Sequence, residues 1–271
     1  MITDSHCHLA SHRYADQDVA VIIARAKSAG VHRMVTLATS LGDVPRNLEI
    51  ANHAGISAAI GIHPCDVHHA PDDVIEKLSE YVGDPRVCAI GETGLDYYHP
   101  APDGWTDSDF RSKQRDLLDQ HFGLAARSGL NVVIHTRDRE GSQSFEDSLY
   151  IYRKYSDRVR AVFHCFISSW DLAEQVIAEG GLVSFGGVAT FKKSDLVKDT
   201  VARCPVGFFM LETDSPYLAP EPMRGKQNEP AYTSYIAEVI AALRGETLAE
   251  LAAHTEQATN DFFRWKSDSL E

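Results

Sequence analysis

Residues 2–39, ITDSHCHLASHRYADQDVAVIIARAKSAGVHRMVTLAT, contain the unit from which the fold can be read. Residues 2–8 have the character of a β-strand. From 17 to 29, Val19, Ile22, Ile23 and Ala26 recur at i, i+3, i+4 and i+7, one face of an α-helix, and Gly30 is suited to cap its end. Residues 31–39 return to an apolar strand pattern. A strand, a helix and a strand joined this closely predict parallel pairing. Within the first strand His6 and His8 stand two apart, so the strand period of two turns both imidazoles to one side, where they can grip a single metal ion.

The same alternation continues along the chain. Helical stretches near 43–54, 71–82, 107–128, 143–156, 169–179 and 193–203 separate strands near 56–63, 86–92, 130–136, 159–165, 181–185 and 206–213. Eight strand-then-helix units at this length close most economically as a (β/α)8 TIM barrel, here a single domain over 1–271. Terminal helices near 231–243 and 247–263 complete it, the second one extra to the barrel. An open, doubly wound sheet is the competing architecture.

Composition narrows the function. A chain of 271 residues that is 44% hydrophobic can bury a large core, and a net charge of −13 argues against a broad basic surface for duplex nucleic acid. A polyanionic substrate must then be held locally, by metals and a few cations. The five cysteines are odd in number and form no C-x-x-C pair, which predicts reduced thiols in a cytoplasmic protein. No leader pattern or membrane-length apolar run is present, and nothing in the chain requires an obligate protein partner.

In a (β/α)8 barrel, groups at the C-terminal strand ends converge on one mouth. Glu92, His135, His164 and Asp214 end later apolar runs just as His6 and His8 end the first. Imidazole and carboxylate donors suit Mg, Mn or Zn. We expect His6, His8 and Asp214 to hold one ion, His135 and His164 to hold a second, and Glu92 to bridge them. Two ions in one mouth can lower the pKa of a water towards ~7 and stabilise the entering and leaving oxygens at phosphorus. Glu92, Asp214 and Glu212 are the candidate catalytic carboxylates, Glu212 orienting a water or a metal ligand from the face it shares with Asp214. Asp96 is expected on a turn behind them. His63, Arg137, Arg224 and Lys226 are expected to contact substrate, the cations by holding phosphate. Tyr98 and Trp105 can stack on a base or simply pack their loop.

Taken together, Asp4-Ser5-His6-Cys7-His8, Gly61-Ile62-His63-Pro64, Gly91-Glu92-Thr93-Gly94-Leu95-Asp96, Val133-Ile134-His135-Thr136-Arg137, Phe163-His164-Cys165-Phe166 and Leu211-Glu212-Thr213-Asp214-Ser215-Pro216 resemble the TatD family of metal-dependent deoxyribonucleases. The resemblance runs from Ile2 to about Trp265. It implies a (β/α)8 barrel, divalent-metal-dependent cleavage of DNA, often from a 3′ end, and metal ligation by His6, His8, Glu92, His135, His164 and Asp214; the acidic net charge adds the expectation of single-stranded or short DNA. The chain departs from that pattern at Gln227, where another Arg is usual, after His8, where an acidic residue is usual, and in a longer segment from His99 to Trp105. Two other functions compete: a metal-dependent amidohydrolase or esterase, and a metal-binding interaction protein without catalysis.

Overall fold

The computed structural model describes residues 1–265; the last six residues of the expected domain, 266–271, lie outside the described residues. The strands are β1 (Ile2–Cys7), β2 (Val31–Leu37), β3 (Ile56–Ile60), β4 (Val87–Asp96), β5 (Asn131–Arg137), β6 (Ala161–Phe163), β7 (Leu182–Phe185) and β8 (Phe209–Leu211). Between and after them run α1 (Val19–Ser28), α2 (Val44–Ile50), α3 (Val74–Ser79), α4 (Asp107–Ser128), α5 (Gln143–Arg153), α6 (Trp170–Ala178), α7 (Asp195–Arg203), α8 (Thr233–Arg244) and α9 (Leu248–Phe263). Consecutive strands pair in parallel in the order β1 to β8, as eight strand-then-helix units require.

A parallel bridge between Cys7 and Ser215 carries β1 towards β8 and nearly closes the barrel. Backbone bonds from His8 N to Ser215 O (2.7 Å) and from Asp214 N to His6 O (2.9 Å) reinforce the seam. Deeper in, the buried Asp4 carboxylate accepts from Thr213 N and Oγ1 at 2.9 and 2.6 Å. These bonds hold residues of opposite chain ends side by side at the mouth.

The extra helix α9 has a mechanical role. Its N-terminus is fixed by a capping box of Thr247 and Glu250, which satisfies donors that the first helical turn leaves open. Its far end places Ala258 and Phe262 in a cluster with Val35, Leu37, Ala59, Val133, Val162, Leu182 and Met210, the lumen-facing residues of the strands. Phe262 is wholly buried there, worth about 2 kcal/mol of apolar transfer. Thus α9 plugs the barrel floor and leaves the opposite mouth open.

The lumen phase of each strand sets what reaches that mouth. Val133 faces inward, and so does His135 two residues on; the same step carries Val162 to His164 and Met210 to Glu212 and Asp214. β4 breaks the rule. Its register against β5 slips between Ile90 and Thr93, one extra residue standing in β4, and this bulge brings Glu92 to the mouth.

Several expected boundaries change. β4 runs on to Asp96 rather than ending at Glu92, so Asp96 closes a strand and not a turn, while β6 and β8 shorten to three residues each. Gly91 and Gly94, which look like strand breakers, lie inside β4 at φ of +145° and +142°. A Cβ at Gly94 would stand 2.0 Å from the His135 carbonyl oxygen. Gly94→Ala is therefore expected to cost about 3 kcal/mol or more, from backbone strain plus overpacking. Gly104→Ala, also at positive φ but with open space at its Cβ, should cost only about 1 kcal/mol. Urea denaturation of the two variants checks this; equal costs would refute the close approach of β4 to β5.

Candidate metal centre

Glu92 sits at the centre of the mouth, 2% exposed, with its two carboxylate oxygens turned to different sets of side chains. Oε2 lies 3.5 Å from His6 Nε2 and 3.3 Å from His8 Nε2. Those two nitrogens are 3.2 Å apart and stand 3.7 and 3.4 Å from Asp214 Oδ1. Oε1 lies 3.0 Å from His135 Nδ1, 2.9 Å from His164 Nε2 and 3.5 Å from His63 Nε2. The chain thus gathers His6, His8 and Asp214 on one side of a single carboxylate and His135 and His164 on the other. All the residues expected as ligands meet in one place.

Hydrogen bonds made by the far ring nitrogens assign the tautomers. Leu37 O accepts from His8 Nδ1–H at 3.2 Å, leaving the Nε2 lone pair free towards Asp214 and Glu92. Asp96 Oδ2 accepts from His135 Nε2–H at 3.2 Å, so the Nδ1 lone pair faces Glu92. This carboxylate–imidazole arrangement is typical behind metal-binding histidines. His164 Nδ1 points to Glu212 Oε1 at 3.6 Å, and its Nε2 faces inward. His63 is opposite in sense: its Nδ1 accepts from Cys65 N at 3.1 Å, so the atom facing the mouth, Nε2, carries the proton. A protonated Nε2 donates a hydrogen bond and cannot ligate.

The local field has the sign a dication needs. Burial raises the Glu92 carboxyl, but the imidazoles of His63, His164 and His135 outweigh it and hold the group well below the ordinary carboxylate range. Burial lowers His8, yet Asp214 and Glu92 raise it well above the usual imidazole value, and Glu92 with Glu212 pushes His164 up to about 10. Carboxylates that bind protons on imidazole this firmly also favour a bound cation. Burial drives His63 down to about 3, keeping it neutral. The donor set, with lone pairs converging from two sides on a shared carboxylate, fits divalent ions.

Glu212 is fully buried behind His164, accepting from Cys165 N at 2.7 Å and from Ser184 Oγ. It therefore reaches the mouth through His164 rather than directly. Arg137, Arg224, Lys226 and His63 all line the open cleft above Glu92, whose volume is about 1510 Å³. The Arg137 guanidinium stacks on Tyr98 at 4.1 Å and that of Arg224 on Phe191 at 3.9 Å, so both cations are held in place. Trp105 lies outside the cleft lining and packs near Phe110, ring centroids 6.1 Å apart.

Sequence reasoning missed Arg13, which lines the same cleft, stacked 4.9 Å from the Tyr217 ring. It lies in a single 3-10 turn, His12–Tyr14, after β1, too short for any periodicity to draw attention to it. Gln227, at the position of the missing Arg, bonds Arg13 O at 2.6 Å. The cation absent from 227 is thereby matched by one anchored beside it.

A family model described as TatD related DNase matches residues 3–264. Metal-dependent hydrolase YabD of Bacillus subtilis, itself uncharacterized, is 34% identical over 266 residues, covering 97% of this chain and 99% of the relative. YcfH of Escherichia coli K12, of the same description, is 32% identical over 267 residues, with 97% and 94% covered. Among solved structures, YjjV, a TatD homologue from Escherichia coli K12, superposes with a TM-score of 0.87 at 27% identity, covering 98% of both chains.

Proposed function

The chain belongs to the TatD-related family of metal-dependent hydrolases, and from that premise we propose that it removes nucleotides from the 3′ end of single-stranded or short DNA. The observation that carries this reading is the division of the two Glu92 oxygens between two groups of imidazoles. His6, His8 and Asp214 would hold one ion and His135 and His164 the other, with Glu92 between them. Bound there, Mg, Mn or Zn would supply Lewis acidity at phosphorus and a more acidic water.

The chain's own groups do the rest. Asp96 keeps the His135 lone pair aimed inward, and Glu212 lies behind His164 with Oε1 3.6 Å from its Nδ1. The proton on His63 Nε2 is placed to bond a phosphate oxygen as negative charge builds on it. Arg13, Arg137, Arg224 and Lys226 face the cleft as phosphate anchors, and stacking on Tyr217, Tyr98 and Phe191 spares three of them the entropy of being fixed on binding. A cleft of about 1510 Å³ exceeds the ~300–1,000 Å³ of ordinary small-molecule pockets, which favours the end of a polymer over a compact amide or ester. With a net charge of −13, the cationic lining is local, which favours a single strand over extended duplex contact. No helix among the described residues is long and apolar enough to cross a membrane, and five unpaired cysteines support a reducing, cytoplasmic setting.

The test is metal-stripped protein with a 3′-labelled single-stranded oligonucleotide, Mg, Mn or Zn being restored one at a time. Loss of 3′ nucleotides only after metal is returned is the expected result. Full metal loading without cleavage, alongside hydrolysis of an amide or ester panel, would overturn the nuclease reading. Because Arg224 positions substrate without generating the nucleophile, Arg224→Ala should raise KM about 10-fold, one charge-assisted bond, and change kcat less. An unchanged KM in steady-state kinetics would remove Arg224 from the phosphate site.

A further inference from the structure

Asp96 and His99, which line the cleft, bring a carboxylate and an imidazole to the thiol of Cys65 just behind them, beside the donors grouped around Glu92. One atom from each, Sγ, an Asp96 oxygen and a His99 ring nitrogen, all lie within 4.8 Å of one another. His99 Nδ1 stands 2.9 Å from Asp96 Oδ2 and 3.6 Å from Cys65 Sγ. Cys65 follows Pro64 in the turn after β3, Asp96 ends β4, and His99 opens the long segment before α4. Two separate parts of the chain thus converge, Asp96 and His99 being only three residues apart.

The carboxylate is fixed for this purpose. Asp96 Oδ1 accepts from Tyr98 N and His99 N, both at 2.9 Å, which turns Oδ2 towards His99 and His135. A loop-closing bond between Asp96 and His99 would explain that pair. It would not explain a free thiol brought to the same ring nitrogen.

We propose that Cys65, Asp96 and His99 form a third metal site, selective for a thiophilic divalent ion of the zinc class. Sulfur, nitrogen and oxygen donors with one position left open match an accessible tetrahedral zinc site. Thiolate ligation separates it from the mouth, whose donors are all nitrogen and oxygen and accept Mg or Mn as well. His99 is half-exposed and lines the cleft, so exchange with solvent is open.

The site communicates with the mouth at Asp96 and at Cys65, whose backbone N–H bonds His63 Nδ1. Asp96 Oδ2 also receives His135 Nε2–H at 3.2 Å, and an ion at the rim competes for that oxygen and slackens the hold on His135. Rim occupancy therefore slows hydrolysis, a consequence that rests on the role assigned to His135 above. Binding itself does not depend on that role.

Cadmium is the probe, titrated into Mg-loaded protein while the ultraviolet thiolate-to-metal absorption is followed. Wild type and Cys165→Ser should each show one saturable equivalent, Cys65→Ser should lose it, and His99→Ala should weaken it at least about 10-fold. No absorption in wild type, its persistence in Cys65→Ser, or its loss in Cys165→Ser would overturn the site. Zinc added to the Mg-supported reaction should inhibit wild type at concentrations at least about 10-fold lower than Cys65→Ser; equal inhibition would overturn the coupling. Absence of hydrolysis before any zinc is added overturns the nuclease reading alone, the cadmium titration still deciding the site.

Discussion

Glu92→Gln should lose bound divalent metal and at least ~10³-fold in kcat/KM, equivalent to ~4 kcal/mol of transition-state stabilisation. The substitution keeps the shape of the side chain and removes its charge. In the native chain that charge lies within 3.5 Å of His6, His8, His63, His135 and His164, and both oxygens are engaged. An amide offers one acceptor oxygen in place of two, and its NH2 group meets whichever set of imidazole lone pairs it faces. On the proposed two-ion arrangement, one ion should be expelled and the other should lose an anionic ligand. Metal content by mass spectrometry and single-strand hydrolysis should fall together. A variant that kept two ions per chain would show that Glu92 does not bridge, and Glu92 would then be assigned a role at the water alone.

The pattern of strands and the gathering of the expected ligand residues at one mouth were legible in the sequence for one physical reason: both follow from alternation. A parallel strand buried on both faces reads as an apolar run, and the residue at its end is displayed at the mouth. His135, His164 and Asp214 continue the inward phase set by Val133, Val162 and Met210, so locating the strand also located the donor. What was not legible depends on departures from alternation. The extra residue in β4 that turns Glu92 inward, and the passage of Gly91 and Gly94 through the strand, arise from close contact with the β5 backbone, which no local pattern encodes. Arg13 and the Gln227 amide that bonds its carbonyl meet across 214 residues of chain. The roles of Asp96 and Glu212 likewise need the far nitrogens of particular imidazoles, a matter of rotamer and tautomer rather than of spacing.

His63 is where those tautomers separate a ligand from a donor. His63→Ala is expected to reduce kcat by ~10²–10³-fold, the usual cost of removing one hydrogen-bond donor from developing negative charge. Metal content should stay at the wild-type value. The reason is the bond from Cys65 N to His63 Nδ1, which consumes one lone pair and leaves the proton on Nε2, 3.5 Å from Glu92. His8 and His135 have the reverse arrangement, their outer nitrogens donating to Leu37 O and Asp96 and their inner nitrogens left bare. His63→Gln restores an N–H donor, and part of the lost rate should return with it. Loss of one metal equivalent in His63→Ala, with no recovery in His63→Gln, would place His63 among the ligands and reverse its tautomer. Retained metal with a rate defect that Gln partly repairs would leave catalysis divided as the hydrogen bonds divide it, between imidazoles that hold ions and one that meets the substrate.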